Sequence, residues 1–376
     1  IGNYAFYDCP LEEVNKEHVS DMGLGAFDAV GMTKVTIPKS VTAVTYQSFS
    51  DCDTWAEIDV PESLVHIGRN SFDSTQWYEN QDEGVVYLEH ILYEYKGDMP
   101  KDTNLNVKSG TTVIADNAFD KQKNLKTVSL PNGLLTIGQE SFKDCSGLSE
   151  IHIPASVNCI DKNAFLNSGL TAIHVDAGNK YYSSEDGVLF SKDGTELLWC
   201  PKQTEKSYTV PRTVKYIAEN AFCNSGITEL TVQNYYTEFK DKAYGYELAS
   251  DGINSKQYME VKLICFENSL ADVYAKKNCM TSEYLPYGWI QDEYGWKYIK
   301  DNGEIVHNGW RLIDDNWYYF KNDYRVSGWL LDIDKYYYMN PETGIMTVNQ
   351  WIDDTYYINE NGVMVTGWKS IDGHYY

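Results

Sequence analysis

Apolar positions recur along the first three-quarters of the chain in a fixed order, L-x-x-I-x-I-P-x-x-V-x-x-I-x-x-x-A/S-F. Leu125, Val128, Leu130, Pro131, Leu134, Ile137, Ser141 and Phe142 make one copy. Leu148, Ile151, Ile153, Pro154, Val157, Ile160, Ala164 and Phe165 make the next. Phe119, Phe142 and Phe165 lie 23 residues apart, and Phe27, Phe49 and Phe72 lie 22 and 23 apart. A unit this short cannot bury its own apolar face and must stack on its neighbours, which predicts a solenoid over residues 1–285. The I-x-I-P segment alternates with period two and predicts one short strand per coil. The proline ends that strand because it has no N–H for the next ladder bond. The A/S-F pair is expected to plug each turn of the stack.

Two intervals break the period: Phe72 to Phe119 and Phe165 to Phe222. Each contains two strand-like runs, Gly84–Tyr87 with Ile91–Tyr93 and Gly187–Phe190 with Leu197–Trp199. They predict hairpin insertions near 80–105 and 178–209, the second with a turn at Lys192-Asp193-Gly194. Residues 268–279 read as a short capping helix, which an open stack requires.

From residue 286 to 376 the pattern changes. Gly288-Trp289, Gly309-Trp310, Gly328-Trp329 and Gly367-Trp368 recur, with Trp351 between the last two, and each of the first three pairs precedes an aromatic cluster. Residues 287–376 hold 7 Trp, 13 Tyr and 1 Phe in 90 positions, far above the 14% aromatic content of the whole chain. No ordinary core needs so many amphipathic rings in so short a span. Rings around a concave surface can hold a cation that has no N–H to donate, such as a quaternary ammonium.

Charge narrows the partners. A formal net charge of −24 offers nothing to displace counterions from phosphates, which excludes nucleic acid and disfavours an anionic membrane surface. No run of 18 apolar residues is present, so membrane insertion is not expected, and no signal peptide stands at Ile1. The chain opens inside one repeat and stops inside another, and so reads as part of a longer chain. Cys9, Cys52 and Cys145 each follow a repeat phenylalanine by three residues, where Ser168 and Ser225 also stand. A slot alternating Cys with Ser predicts buried free thiols rather than disulfides. Cys265 with Cys279 is the one pairing worth testing.

Catalytic motifs are missing: there is no H-E-x-x-H, G-x-S-x-G or Walker loop, and no dinucleotide fingerprint. No enzymatic activity and no cofactor are expected. His152 and His174 fill the outward x of Ile151-His152-Ile153 and Ile173-His174-Val175, so they should stack on adjacent coils about 4.8 Å apart. The same ladder carries Glu57, Asp59, Glu150 and Glu229. A two-histidine metal site with Glu150 is one reading. A solvated ladder offering a partner-binding face is the preferred one, with no metal expected. Asn340-Pro341-Glu342-Thr343-Gly344 is superficially similar to a sortase signal but lacks its leading Leu, apolar stretch and basic tail.

Residues 1–285 resemble the BspA-like leucine-rich repeats of bacterial surface proteins. The likeness rests on the I-P-x-x-V and I-G-x-x-A-F segments, the G-V-L-F hairpin and the Ser-x-Ala-x-x-Tyr-Ala-Lys ending. It implies a right-handed leucine-rich-repeat solenoid, α/β but mostly β, on an exported adhesion or host-contact protein. Residues 286–376 resemble choline-binding (cell-wall-binding) repeats, with Gly309-Trp310 and Trp317-Tyr318-Tyr319 carrying the match. That resemblance implies an all-β hairpin-repeat superhelix with ligand caged between consecutive repeats. Carried over, the cages are Trp289, Trp296 and Tyr319; Trp310, Trp317 and Tyr338; and Trp329, Tyr336 and Tyr357. A fourth, Trp351 with Thr355 and Tyr376, should be empty because Thr355 has no π face. Met346 and Met364 fill the G-x-M slot and would add a soft apolar wall. The middle tyrosines Tyr318, Tyr337 and Tyr356 are expected to pack the hairpins together.

The two resemblances together imply an extracellular protein on the bacterial cell surface. Its tail would dock on choline-bearing teichoic acid of the cell wall, and its solenoid on an unidentified protein or host-surface ligand. The alternatives are a carbohydrate-binding module for glucan or host glycan, or an accessory part of a longer extracellular enzyme.

Overall fold

The structure, a computed structural model, describes residues 1–9, 19, 21–31, 34–248, 255–257, 260–368, 370–371 and 373–375. The chain divides into two compact units. The first holds Ile1–Thr231, Thr237–Leu263 and Tyr274–Thr281; the second holds Val232–Tyr236, Ile264–Val273 and Ser282–Tyr376.

The first unit is a β-solenoid. Its I-x-I segments pair in parallel from coil to coil, as in Lys34–Thr36 with Glu57–Asp59 and Glu150–Ile153 with Ala172–Val175. A second strand, not foreseen in the sequence, is only two residues long and sits at the V-x-x-I position. Val113–Ile114, Thr136–Ile137 and Cys159–Ile160 pair in parallel there. Two residues show no alternation, so no periodic signal announces them.

The A/S-F pair closes each coil. Phe6, Phe27, Phe49 and Phe72 stack with ring centroids 5.1, 5.5 and 5.6 Å apart. Phe119, Phe142 and Phe165 repeat the stack at 5.2 and 5.9 Å. The chain makes room for each ring with left-handed residues two before and two after it, such as Glu140 and Asp144 around Phe142 or Asn163 and Asn167 around Phe165. Asn and Asp tolerate that conformation best among residues with a side chain, which accounts for their recurrence there. Backbone bonds stitch the turns together: Phe119 N–H donates to the Ser141 carbonyl (2.8 Å) and Phe142 N–H to that of Ala164 (2.8 Å).

The small slot after the phenylalanine has its own partner. Cys52 Sγ lies 3.0 Å from the Phe27 carbonyl and Cys145 Sγ 3.1 Å from that of Phe119, each a thiol donating to the preceding coil. Burial pushes the Cys52 thiol up to about 12. Cys265 is buried and Cys279 exposed, and no disulfide joins the described cysteines.

Both irregular intervals form hairpins, and each hairpin also contributes a coil strand. Gly84–Leu88 pairs antiparallel with Ile91–Lys96, whose Ile91 and Leu92 continue in parallel onto Val113–Ile114. Tyr93 then takes a place beside the phenylalanine column, 5.7 Å from Phe72, and its hydroxyl accepts the Phe72 N–H at 3.1 Å. In the second interval Tyr182–Glu185, Val188–Ser191 and Glu196–Trp199 form an antiparallel meander, and Glu196–Leu197 pairs in parallel with Tyr216–Ile217. The expected helix forms over Leu270–Lys277. Ser269 Oγ accepts the Asp272 N–H (3.2 Å) and Asp272 Oδ2 accepts the Asn268 N–H (2.8 Å), a reciprocal N-terminal cap.

The second unit is a run of antiparallel hairpins: Gly288–Asp292 with Gly295–Ile299, Gly309–Ile313 with Asn316–Lys321, Gly328–Asp332 with Lys335–Met339, and Gln350–Ile352 with Tyr356–Ile358. Asp314-Asp315 turns one of them with both residues at positive φ, the conformation that matches the twist of tightly joined strands. Its core gathers Val306, Ile313, Tyr318 and Phe320, with Trp289 and Tyr298 packed on them.

Candidate functional site

Hairpin register decides which rings meet. The leading tryptophan of each hairpin sits directly opposite the last tyrosine of that hairpin: Trp289 faces Tyr298, Trp310 faces Tyr319, Trp329 faces Tyr338 and Trp351 faces Tyr357. The rings touch edge to face at 5.2, 5.2, 5.1 and 5.3 Å. The ring supplied by the next hairpin is the middle tyrosine. Trp289 meets Tyr318 at 4.7 Å, Trp310 meets Tyr337 at 4.7 Å and Trp329 meets Tyr356 at 5.1 Å. Tyr319, Tyr338 and Tyr357 therefore pack on the tryptophan of their own hairpin, and Tyr318, Tyr337 and Tyr356 cross to the preceding one. Alternation along the strand sets Tyr318 and Tyr319 on opposite faces, and the seating of successive hairpins decides which face meets the preceding one.

The first ring of each cluster lies diagonally from the Gly-Trp indole on the same face, because Gln291 faces Trp296, Leu312 faces Trp317 and Leu331 faces Tyr336. The Trp310–Trp317 pair makes an open corner, with centroids 6.5 Å apart and planes at 80°. Trp310 is fixed there by its Nε1–H, which donates to Asp332 Oδ2 at 2.8 Å. Trp317 is 44% exposed, so part of its ring meets solvent. Trp329 and Tyr336, at 40% and 44%, are similarly open.

The G-x-M slot reaches back toward these corners. Met346 N–H donates to the Trp317 carbonyl (2.8 Å) and Met364 N–H to the Tyr336 carbonyl (2.8 Å). The residue after each slot follows the same rule: Val306, Val326, Thr347 and Val365 donate to Tyr298, Tyr319, Tyr338 and Tyr357. That register puts Arg325 in the slot that Met346 and Met364 occupy elsewhere. Its guanidinium carbon lies 5.8 Å from the Trp289 ring centroid and 5.7 Å from that of Trp296. Nη1 donates to the Thr343 carbonyl (2.6 Å) and Nη2 to the Glu342 carbonyl (3.1 Å). Gly344 allows the approach, since a Cβ there would lie 2.2 Å from Arg325 Cδ. The first pair of tryptophans thus already holds a cation from its own chain. In the fourth position Thr355 bonds back to the Asp353 carbonyl (2.9 Å), and Tyr376 lies outside the described residues.

On the solenoid, the ladder residues are spread over separate strand pairs. Glu57 and Asp59 are exposed on one, where Thr36 Oγ1 lies 3.3 Å from Asp59 Oδ2. Glu229 is half-buried on another and pairs with Lys262 at 3.1 Å. Glu150, His152 and His174 come together, with His152 in register with His174.

A second titratable cluster is invisible to local patterning. His66 lies 3.5 Å from Asp116 and 3.6 Å from Asp161. The Asp161 carboxylate raises the His66 imidazole pKa, and burial pushes Asp116 up to about 6.

A family model described as BspA type leucine rich repeat region matches six copies over residues 1–81, 99–186 and 200–284. A model for a cell wall binding repeat of the choline-binding type matches 308–323 and 353–364. No curated protein gives a significant match. Among solved structures, the pneumococcal vaccine antigen PcpA is 22% identical over 67% of this chain and 63% of its own, with a TM-score of 0.40. A leucine-rich repeat protein from Eubacterium ventriosum is 21% identical over 67% of this chain and 56% of its own, with a TM-score of 0.33. Choline binding protein F from Streptococcus pneumoniae is 30% identical over 24% of this chain and 32% of its own, with a TM-score of 0.23. The chain therefore spans less than two thirds of the length of each of these structures.

Proposed function

The chain belongs to the BspA-type leucine-rich-repeat family, and on that premise we propose a non-enzymatic protein of the bacterial cell surface. Its aromatic hairpins dock non-covalently on choline-bearing teichoic acid of the cell wall, and its solenoid presents a strand ladder to a protein or host-surface partner. The Trp310–Trp317 corner carries the first part: two nearly perpendicular indoles, one of them 44% exposed, with Tyr337 against Trp310 and the Met346 backbone bonded to Trp317. A trimethylammonium group has no donor to satisfy and gains from π faces alone, about 0.5–2 kcal/mol per contact. One corner binds weakly. A wall bearing many cholines converts two corners, Trp310–Trp317 and Trp329–Tyr336, into useful avidity. No helix among the described residues is long and apolar enough to cross a membrane, and wall attachment through the hairpins requires none.

Retention of the full chain on choline-bearing walls, with elution by free choline, tests this reading. Elution by soluble glucan and not by choline replaces it with a carbohydrate-binding surface module.

A further inference from the structure

We propose that Glu150, His152 and His174 form a binding site for a divalent transition-metal ion on the exposed strand face of the solenoid. His152 and His174 hold identical positions on adjacent parallel strands, with ring centroids 4.8 Å apart and planes 25° from parallel. Glu150 stands two residues before His152 and shares its face. Its Oε2 lies 3.7 Å from His174 Nε2, and one donor atom from each of the three residues lies within 4.8 Å of the others.

The neighbouring strand pairs show what is unusual here. Where other coils meet at the ladder, the facing groups complement each other. Thr36 bonds Asp59 (3.3 Å), Thr127 donates to Asn104 Oδ1 (2.7 Å) and Lys262 pairs with Glu229 (3.1 Å). Here two imidazoles and a carboxylate, three groups that can each offer an electron pair to a metal, come together instead. A metal ion is the partner that satisfies all three at once.

Ligand chemistry selects the class of ion. Imidazole nitrogen suits Zn²⁺, Cu²⁺ and Ni²⁺, whereas Ca²⁺ and Mg²⁺ ask for all-oxygen shells. Zn²⁺–N bonds of about 2.0–2.1 Å in a tetrahedral shell bring two nitrogens to roughly 3.3 Å, so small χ rotations close the site. The backbone stays fixed, because Ile151 and Ile173 anchor both strands in the core with no exposure. Three protein ligands leave a fourth position to water, the pattern of an open rather than a structural zinc site.

The test is calorimetric titration of the tag-free full chain with zinc sulfate at neutral pH, and again in acid, where protons compete with the metal for its ligands. One high-affinity equivalent is expected, lost at the lower pH. His152→Ala and His174→Ala should each weaken it on the order of tenfold or more, and Glu150→Gln less. His66→Ala, in the separate His66–Asp116–Asp161 cluster, should leave it unchanged. Cobalt(II) binding with the absorption of a four-coordinate ion, lost in the same two variants, supplies a readout independent of heat. Absence of binding, or binding that survives His152→Ala and His174→Ala, overturns the site.

Discussion

Arg325→Met restores to the second repeat the slot residue of the later ones, and its consequence can be worked from the geometry. In the native chain the guanidinium lies within 6 Å of two indole centroids, and it is half-buried. Each contact is worth roughly 1 kcal/mol, between the exposed and desolvated limits, so the pair contributes about 2 kcal/mol. The bonds to the Glu342 and Thr343 carbonyls hold the side chain in place and add to the cost of displacing it. A cation from solution must compete with this tethered one. With about 2–3 kcal/mol against it, its apparent affinity for the first corner falls roughly 30- to 150-fold. The wild-type chain should therefore bind free choline at the Trp310–Trp317 and Trp329–Tyr336 corners while the Trp289–Trp296 corner stays silent. In Arg325→Met the first corner opens, and calorimetric titration with choline should show one additional equivalent. Arg325→Lys keeps a cation in the slot and should not show it. Lost interactions at the hairpin junction should lower the melting temperature modestly, since methionine recovers part of the ring contact. An unchanged stoichiometry in a folded Arg325→Met variant would refute the argument that the slot residue governs access to the corner.

Three further outcomes follow from the solenoid. Phe142→Ala removes a fully buried ring from the middle of a stack and should cost about 3–5 kcal/mol, read as a large drop in the urea midpoint of the first unit. Asp116 and His66 both bind protons more tightly in the folded chain, so their contribution is present at low pH and lost as pH rises. Asp116 loses it between the ordinary carboxylate range and about 6, and His66 above the ordinary imidazole value. The stability of wild type minus that of Asp116→Asn should fall from pH 4 to pH 7, and a rise in that signed difference would reverse the assignment. Alkylation of the native chain should label exposed Cys279 well before Cys52, Cys145 and Cys223, whose thiols burial pushes up. Early labelling of Cys145 would contradict its place against the Phe119 carbonyl.

Legibility in the sequence followed the range of the interactions. The strand at Ile151–Ile153 and the column Phe119–Phe142–Phe165 were readable, because one coil repeats the next and burial imposes the period. The two-residue strands such as Thr136–Ile137 were not, since so short a segment carries no alternation. Tyr93 stood outside the pattern because it keeps the ring but not the A/S-F context. His66, Asp116 and Asp161 are separated by 50 and 45 residues, and only the stacking of coils brings them together. In the tail the Gly-Trp rhythm marked the hairpins, but the choice between Tyr318 and Tyr319 as the crossing ring depends on how one hairpin seats on the next. Arg325 was hidden because Asn322-Asp323 turns its strand where the later repeats use glycine, which breaks the G-x-M signature that would have exposed the substitution.

Calorimetric titration of the full chain with choline, repeated with Trp310→Ala and Trp317→Ala, tests the central claim most directly. Weak binding that falls by one equivalent in each variant, with the hairpins still folded, is the predicted result. No heat at high choline in the wild-type chain, or binding indifferent to both substitutions, would contradict it and leave these rings as packing or as platforms for sugar.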